Sequence, residues 1–204
     1  MQKTSRPQQR PQDTSLIRLF IGIAPDADTQ HFLDGICCEA GQRGLPKKVR
    51  WISHTNRHLT LAFLGETDPD HLETIEQSLA GIASGSPPLC GKIVSAHPFP
   101  RARAAMFAAE LLPSPALTRL HRACQALMHA IGKAPERKTF RPHFTLARSR
   151  SGFSRPAPIP ADFTCILDNL TLYQSLLAPE GSQYRSLLTL PLCGAENSEA
   201  DSQA

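Results

Sequence analysis

Two short segments of the chain share an order of residues that structure alone has no reason to repeat: His58-Leu59-Thr60-Leu61-Ala62 and His143-Phe144-Thr145-Leu146-Ala147. The two histidines lie 143 − 58 = 85 residues apart. Each segment reads His-apolar-Thr-Leu-Ala, and polar/apolar alternation of this kind belongs to a strand with one face in the core. Residues two apart on a strand share a face, so His58 stands beside Thr60 and His143 beside Thr145. Leu59, Leu61, Phe144 and Leu146 then point into the interior. A neutral imidazole removes a proton from water and a protonated one gives a proton to a leaving alkoxide; the ordinary histidine pKa of about 6.5 permits both forms. A threonine hydroxyl beside each ring donates a hydrogen bond to a nonbridging phosphate oxygen as charge builds there. The four side chains form a complete set for in-line opening of a strained cyclic phosphate, with no metal and no covalent enzyme intermediate.

For two such faces to act on one phosphorus atom, two similar lobes must bring them to a common cleft. The segment 16–25 (LIRLFIGIAP) reads as a buried strand ending at Pro25, followed by a helix from Asp26 to about Ala40 with Asp26 or Asp28 as its cap. RHLTLAFLG reads as a strand halted by Gly65. Residues 67–83 read as an amphipathic helix on the spacing of Leu72, Ile75, Leu79 and Ile82. KIVSAHPFP and RAAMFAAELL pair as a hairpin turning near Pro100, and Pro115 to about Ile131 forms the next helix, closed by Gly132. FTCILDNLTLYQSLL and YRSLLTLPL read as two further strands turning at Pro179-Glu180-Gly181. The predicted class is α+β. Residues 1–15 and 195–204 are polar, without periodicity, and read as disordered tails.

With 204 residues, 41% of them apolar and 20% charged, the composition is that of a soluble globular domain. The polar start and the lack of a long apolar run predict a cytoplasmic protein without membrane spans. Six cysteines without CxxC spacing read as reduced, mostly buried thiols. A zinc site from His54, His58 and His143 is disfavoured, because ligands four residues apart converge on helices and not on strands. The other histidines (His31, His71, His97, His121, His129) read as solvent-facing. The formal charge is +4. Lys133, Arg137, Lys138, Arg141, Arg148, Arg150 and Arg155 are opposed in sequence only by Glu136, a run that suits a phosphate-bearing partner.

With RLFIGI, VRWISHTNRHLTLAFLGE, FRPHFTLAR and a late tyrosine (Tyr184), residues 16–192 resemble the 2H phosphoesterases, most closely the RNA 2′,3′-cyclic phosphodiesterases once called 2′-5′ RNA ligases. The resemblance implies a bilobal, pseudo-twofold α+β fold over residues 16–194, with two antiparallel sheets lining a central cleft and helices outside. It implies hydrolysis of an RNA 2′,3′-cyclic phosphate end, tRNA halves among the candidates, to a 2′-phosphomonoester, with a reversible ligation activity, no cofactor and a monomeric state. His58 becomes the proton donor, His143 the proton acceptor, and Thr60 and Thr145 the phosphate-oxygen donors. Arg148 matches an arginine that approaches the phosphate, which requires the strand to end or bulge before it. Arg57 stands where relatives carry an apolar residue, and would add a contact at the cleft rim. Trp51 and Phe63 read as core residues, with stacking on a base as the alternative. Two alternatives stay open: a 2H phosphodiesterase of small cyclic nucleotides, and an RNA-end binding module without turnover.

Overall fold

The structure is a computed structural model and describes residues 15–45, 48–100, 104–136, 138–153, 158–178 and 181–195. Residues 1–14 and 196–204 of the tails, Arg137, Arg155 and the Pro179-Glu180 part of the expected turn lie outside the described residues. In chain order the elements are β1 (Ile17–Ile23), α1 (Ala27–Gln42), β2 (Arg50–Trp51), β3 (Leu59–Thr67), α2 (Leu72–Ser84), β4 (Leu89–Phe99), β5 (Met106–Leu111), α3 (Pro115–Ala130), β6 (His143–Arg148), β7 (Ile159–Leu167), β8 (Asn169–Ala178) and β9 (Gly181–Pro191). The strands form one antiparallel sheet in the order β7-β4-β5-β6-β3-β1-β8-β9, with the short β2 paired to β6. The two antiparallel sheets expected from the sequence are the halves of this sheet. They are hydrogen-bonded to each other through β3 and β6 at one pair of partners, Leu59 and Phe144.

Both members of that pair are fully buried at 0% exposure, and the other apolar members of the two motifs, Leu61 and Leu146, accompany them into the core. Helices cover this apolar face. Helix α1 is capped by Asp26, whose carboxylate accepts from Thr29 N at 2.8 Å. Helix α3 begins at Pro115 behind Ser114, whose hydroxyl accepts from Leu117 N at 3.1 Å. Each of these two helices crosses to the other half: α1 packs on β7, with Phe32 and Phe163 stacked at 4.2 Å, and α3 packs on β3. The buried Gln125 of α3 donates to Leu61 O at 3.1 Å, so a side chain of one half ties down the motif strand of the other.

Several boundaries differ from the sequence reading. Gly65 does not halt β3: it sits inside the strand at φ +67°, where the register with β1 shifts, and β3 runs on to Thr67. The expected helix 67–83 therefore starts later. Pro69–His71 make one 3₁₀ turn, led by the Asp68 carboxylate accepting from Asp70 N at 3.0 Å, before α2 begins at Leu72. The stretch read as one strand over 163–177 is two, β7 and β8, which part at Asp168 and run at opposite sides of the sheet. The Asn169 side chain makes the separation: it accepts from Ala24 N at 3.0 Å and donates to Ala24 O at 2.9 Å, joining the start of β8 to the end of β1. The hairpin of β4 and β5 forms as expected, with His97 opposite Ala108. Of the cysteines, only Cys124 and Cys165 are buried, while Cys38, Cys90 and Cys193 are exposed.

Phe144 fills the junction between the halves, so Phe144→Ala should cost about 3–5 kcal/mol. A lower urea midpoint with unchanged slope is the expected reading. A loss below about 1 kcal/mol would mean that the halves do not depend on this contact.

Candidate active site

Antiparallel pairing at Leu59 and Phe144 has a direct consequence for the polar face. One residue to either side, the same register sets His58 across from Thr145 and Thr60 across from His143. All four side chains thus converge on one face where the halves meet, and the charge of His143 is felt at His58.

The two rings are held in the same way. His58 lies just before β3 with Nδ1 at 2.8 Å from Asn56 O, and His143 opens β6 with Nδ1 at 2.8 Å from Arg141 O. A carbonyl only accepts, so each Nδ1 carries the proton and each Nε2 is left for chemistry. The carbonyl two residues upstream comes for His58 from the end of the 3₁₀ turn His54–Asn56, and for His143 from the irregular segment that leads into β6.

Beyond this the halves differ. His58 sits among aromatic rings: Phe20 at 4.6 Å, Tyr184 edge-on at 5.0 Å and Tyr173 at 5.7 Å between centroids. Burial pushes its pKa down to about 4, against the Asn56 carbonyl, which favours the charged form; the charges of His143 and Arg148 push it further down. His143 stacks on Phe99 at 4.2 Å and stands opposite Glu110 on β5. Burial lowers its pKa too, but here the Arg141 carbonyl and the Glu110 carboxylate both pull the other way. Glu110 is held by Arg141 at 2.6 Å and by His97 Nε2 at 2.8 Å, and the Arg141 guanidinium lies over the Phe99 ring at 4.4 Å.

Thr145 donates to the sulfur of Met106 at 3.1 Å, a weak acceptor that a phosphate oxygen would readily replace. Thr60 is half-buried. Arg148 reaches this face because β6 carries an extra residue at Leu146, where the register with β5 shifts between Phe107 and Ala108. That bulge reverses the alternation and leaves Arg148 exposed, its charge felt at both histidines.

Other residues are placed differently from the sequence reading. Arg57 is not at the rim: its side chain is 4% exposed and turned to α1, where it pairs with Asp34 at 2.8 Å and donates to Gln30 Oε1 at 3.1 Å. His54 likewise meets Asp34, at 2.9 Å. Among the described residues no group of three or more His, Cys, Asp or Glu side chains converges as metal ligands. His97 is not solvent-facing but lies on β4, bound to Glu110; His121 stacks on Phe140 at 3.9 Å. Trp51 is 40% exposed and outside the core, while Phe63 is half-buried under Arg18 at 4.8 Å. Lys133, read as part of the basic run, serves the fold by donating to Leu64 O and to Thr67 Oγ1.

The sequence reading passed over Asn56 and Glu110. The Asn56 carboxamide donates to Ser182 O at 3.0 Å and accepts from Tyr184 N at 3.1 Å, which docks β9 and its tyrosine beside the His58 ring. Glu110 offered a signal, since it is the one charged residue in the apolar run 104–112.

The described helices include none long and apolar enough to cross a membrane. The family model of the 2′-5′ RNA ligase superfamily matches residues 45–174. An RNA 2′,3′-cyclic phosphodiesterase of Geobacillus stearothermophilus is 26% identical over 183 residues; the match takes in 86% of this chain and only 57% of the relative's length. The crystal structure of TT0787 of Thermus thermophilus superposes with a TM-score of 0.77 at 24% identity, over 87% of this chain and 99% of that one. E. coli LigT complexed with 3′-AMP gives a TM-score of 0.68 at 25% identity, over 87% and 98%. The duplicated motif, the fold that joins its two copies and the family match agree: the chain belongs to the 2′-5′ RNA ligase superfamily of 2H phosphoesterases.

Proposed function

We propose that this chain hydrolyses RNA 2′,3′-cyclic phosphate ends to 2′-phosphomonoesters, with residues 16–194 working as one bilobal unit. The observation that carries the reading is the junction at Leu59 and Phe144, which sets both His-x-Thr faces on one side of the sheet with Arg148 behind them. The name of the Geobacillus relative and the 3′-AMP complex of LigT support a nucleotide phosphate as the occupant. Ends of this kind, tRNA halves among them, are the partner the reading implies.

The cyclic diester carries one negative charge and lies between the two rings. His143 Nε2 takes a proton from water, whose oxygen attacks phosphorus; the P–O3′ bond breaks opposite the attack, and His58 Nε2–H protonates O3′. The products are a 2′-phosphomonoester and a free 3′-hydroxyl. Glu110 favours the imidazolium that His143 becomes, which suits it as the acceptor. The rings around His58 disfavour its charged form, so once the substrate anion has drawn a proton onto it, it is a strong donor. Thr60, Thr145 and Arg148 bind the nonbridging oxygens as charge grows on them. A 5′-hydroxyl in place of water gives a 2′–5′ linkage by the same route, and its reversal returns the cyclic phosphate. No step draws on a metal.

Hydrolysis of a cyclic-phosphate oligonucleotide should fall at least about 10²-fold in His58→Ala and in His143→Ala, and should persist in EDTA. Activity that survives both substitutions would place the chemistry elsewhere, and activity lost in EDTA would contradict the metal-free route. Because both histidine pKa values are lowered, both limbs of the kcat/KM profile should lie on the acid side, with a maximum below about pH 6.5 and a decline above it. A maximum above about pH 7.5 would contradict these environments. The same shifts mean that the unfolded chain binds more protons than the folded one as pH falls from about 6.5 through 4. Stability is therefore lost over that window, and His58→Phe should lessen the loss, read from urea midpoints at pH 7 and 5.

A further inference from the structure

Beyond Arg148 the surface continues into a groove of about 850 Å³, which the two histidines do not line. Lys48, Arg50, Arg148 and Arg150 line it together with Ser149 and Ser151, and no acidic side chain does so among the described residues. The fold assembles this set from two places. Strand β2 pairs with the far end of β6 so that Arg50 stands opposite Arg148, and the chain on either side contributes Lys48 and Arg150. The start of β9 accommodates it: Gly181, at φ +122°, leaves the space that the Arg50 guanidinium occupies, where a Cβ would collide with it.

Lys48, Arg148 and Arg150 are all exposed, and like charges gathered in one concavity repel one another without stabilising the fold. Such an arrangement suits an anion with several charges along its length. A chain that ends in a 2′,3′-cyclic phosphate can continue in one direction only from the reacting phosphorus, towards its 5′ side. Arg148, whose charge reaches both histidines, stands at the border between the reaction centre and the groove.

We propose that this groove is the subsite for the backbone phosphates lying 5′ to the reacting end of the RNA, held by Lys48, Arg50 and Arg150. The proposal rests on the reading of the cleft as a cyclic-phosphate hydrolase, and adds to it the length and charge of the substrate. Contacts to phosphate fix position without reading bases, so the groove selects for a longer polyanion and not for a sequence.

The test compares the full chain with the double variant Lys48→Ala/Arg150→Ala on two substrates, a short oligoribonucleotide with a 2′,3′-cyclic phosphate and a nucleoside 2′,3′-cyclic phosphate. For the oligonucleotide, KM should rise about tenfold or more, and the log–log salt slope should become shallower by about 1.4, or about 0.7 per lost contact. The mononucleotide, too short to enter the groove, should keep its kcat/KM within about threefold. The reversal Lys48→Glu/Arg150→Glu should deepen the oligonucleotide defect alone, with the unfolding midpoint of each variant checking the fold. An unchanged oligonucleotide KM and salt slope would overturn the subsite, as would equal losses on both substrates. Wild type that hydrolyses neither substrate would remove the hydrolase reading itself and the subsite with it, a result distinct from either of the others.

Discussion

Strands β3 and β6 meet at Leu59 and Phe144, and antiparallel pairing there leaves each histidine of the cleft across from the threonine of the other motif. The rest of the structure serves this crossing. Apolar residues on one face bury it, and α1 and α3 cross between the halves, so that neither half can turn without disturbing the other. Two imidazoles and two hydroxyls thereby acquire a fixed relation without lying on one strand or one loop. Positioning on strands costs little further ordering, because packing has already fixed the backbone beneath them.

The crossing is nearly symmetric, and the surroundings are not. Both rings donate Nδ1–H to the carbonyl two residues upstream, which leaves both Nε2 atoms available. One ring then faces Phe20, Tyr173 and Tyr184, and the other faces Phe99 with Glu110 and Arg141 around it. The duplicated motif thus presents two groups of one chemical type to unlike environments: burial lowers the pKa of both, and a carboxylate, Glu110, opposes the shift at His143.

Much of this was legible in the chain, because local pattern and tertiary role agree in the motifs. His-apolar-Thr-Leu-Ala alternates as a half-buried strand does, and its repetition is what singles out the polar face as the candidate site. The need for a bulge before Arg148 also followed from parity, and the extra residue is Leu146. Less legible were features decided by partners far away in sequence. Arg57 precedes His58 directly, yet its place was set by Asp34 and Gln30 on α1. His97 read as solvent-facing, but the register of β4 with β5 brings it to Glu110. The basic run 133–155 looked uniform in sequence, but Lys133 is spent on the carbonyls of β3 while Lys48 and Arg50, far upstream, join Arg148 and Arg150. Gly65 read as a stop and proved to be a bulge, since a left-handed glycine can reshape a strand as well as end it.

The proposed reaction requires both halves of the molecule to handle a single phosphate. A crystal structure with a nucleoside 2′-phosphate bound tests this most directly. It should place phosphate oxygens about 2.7–3.2 Å from Nε2 of both His58 and His143, with the Thr60 and Thr145 hydroxyls turned towards the same group. A phosphate that touches only one of the two rings, or that lies away from both, would contradict it.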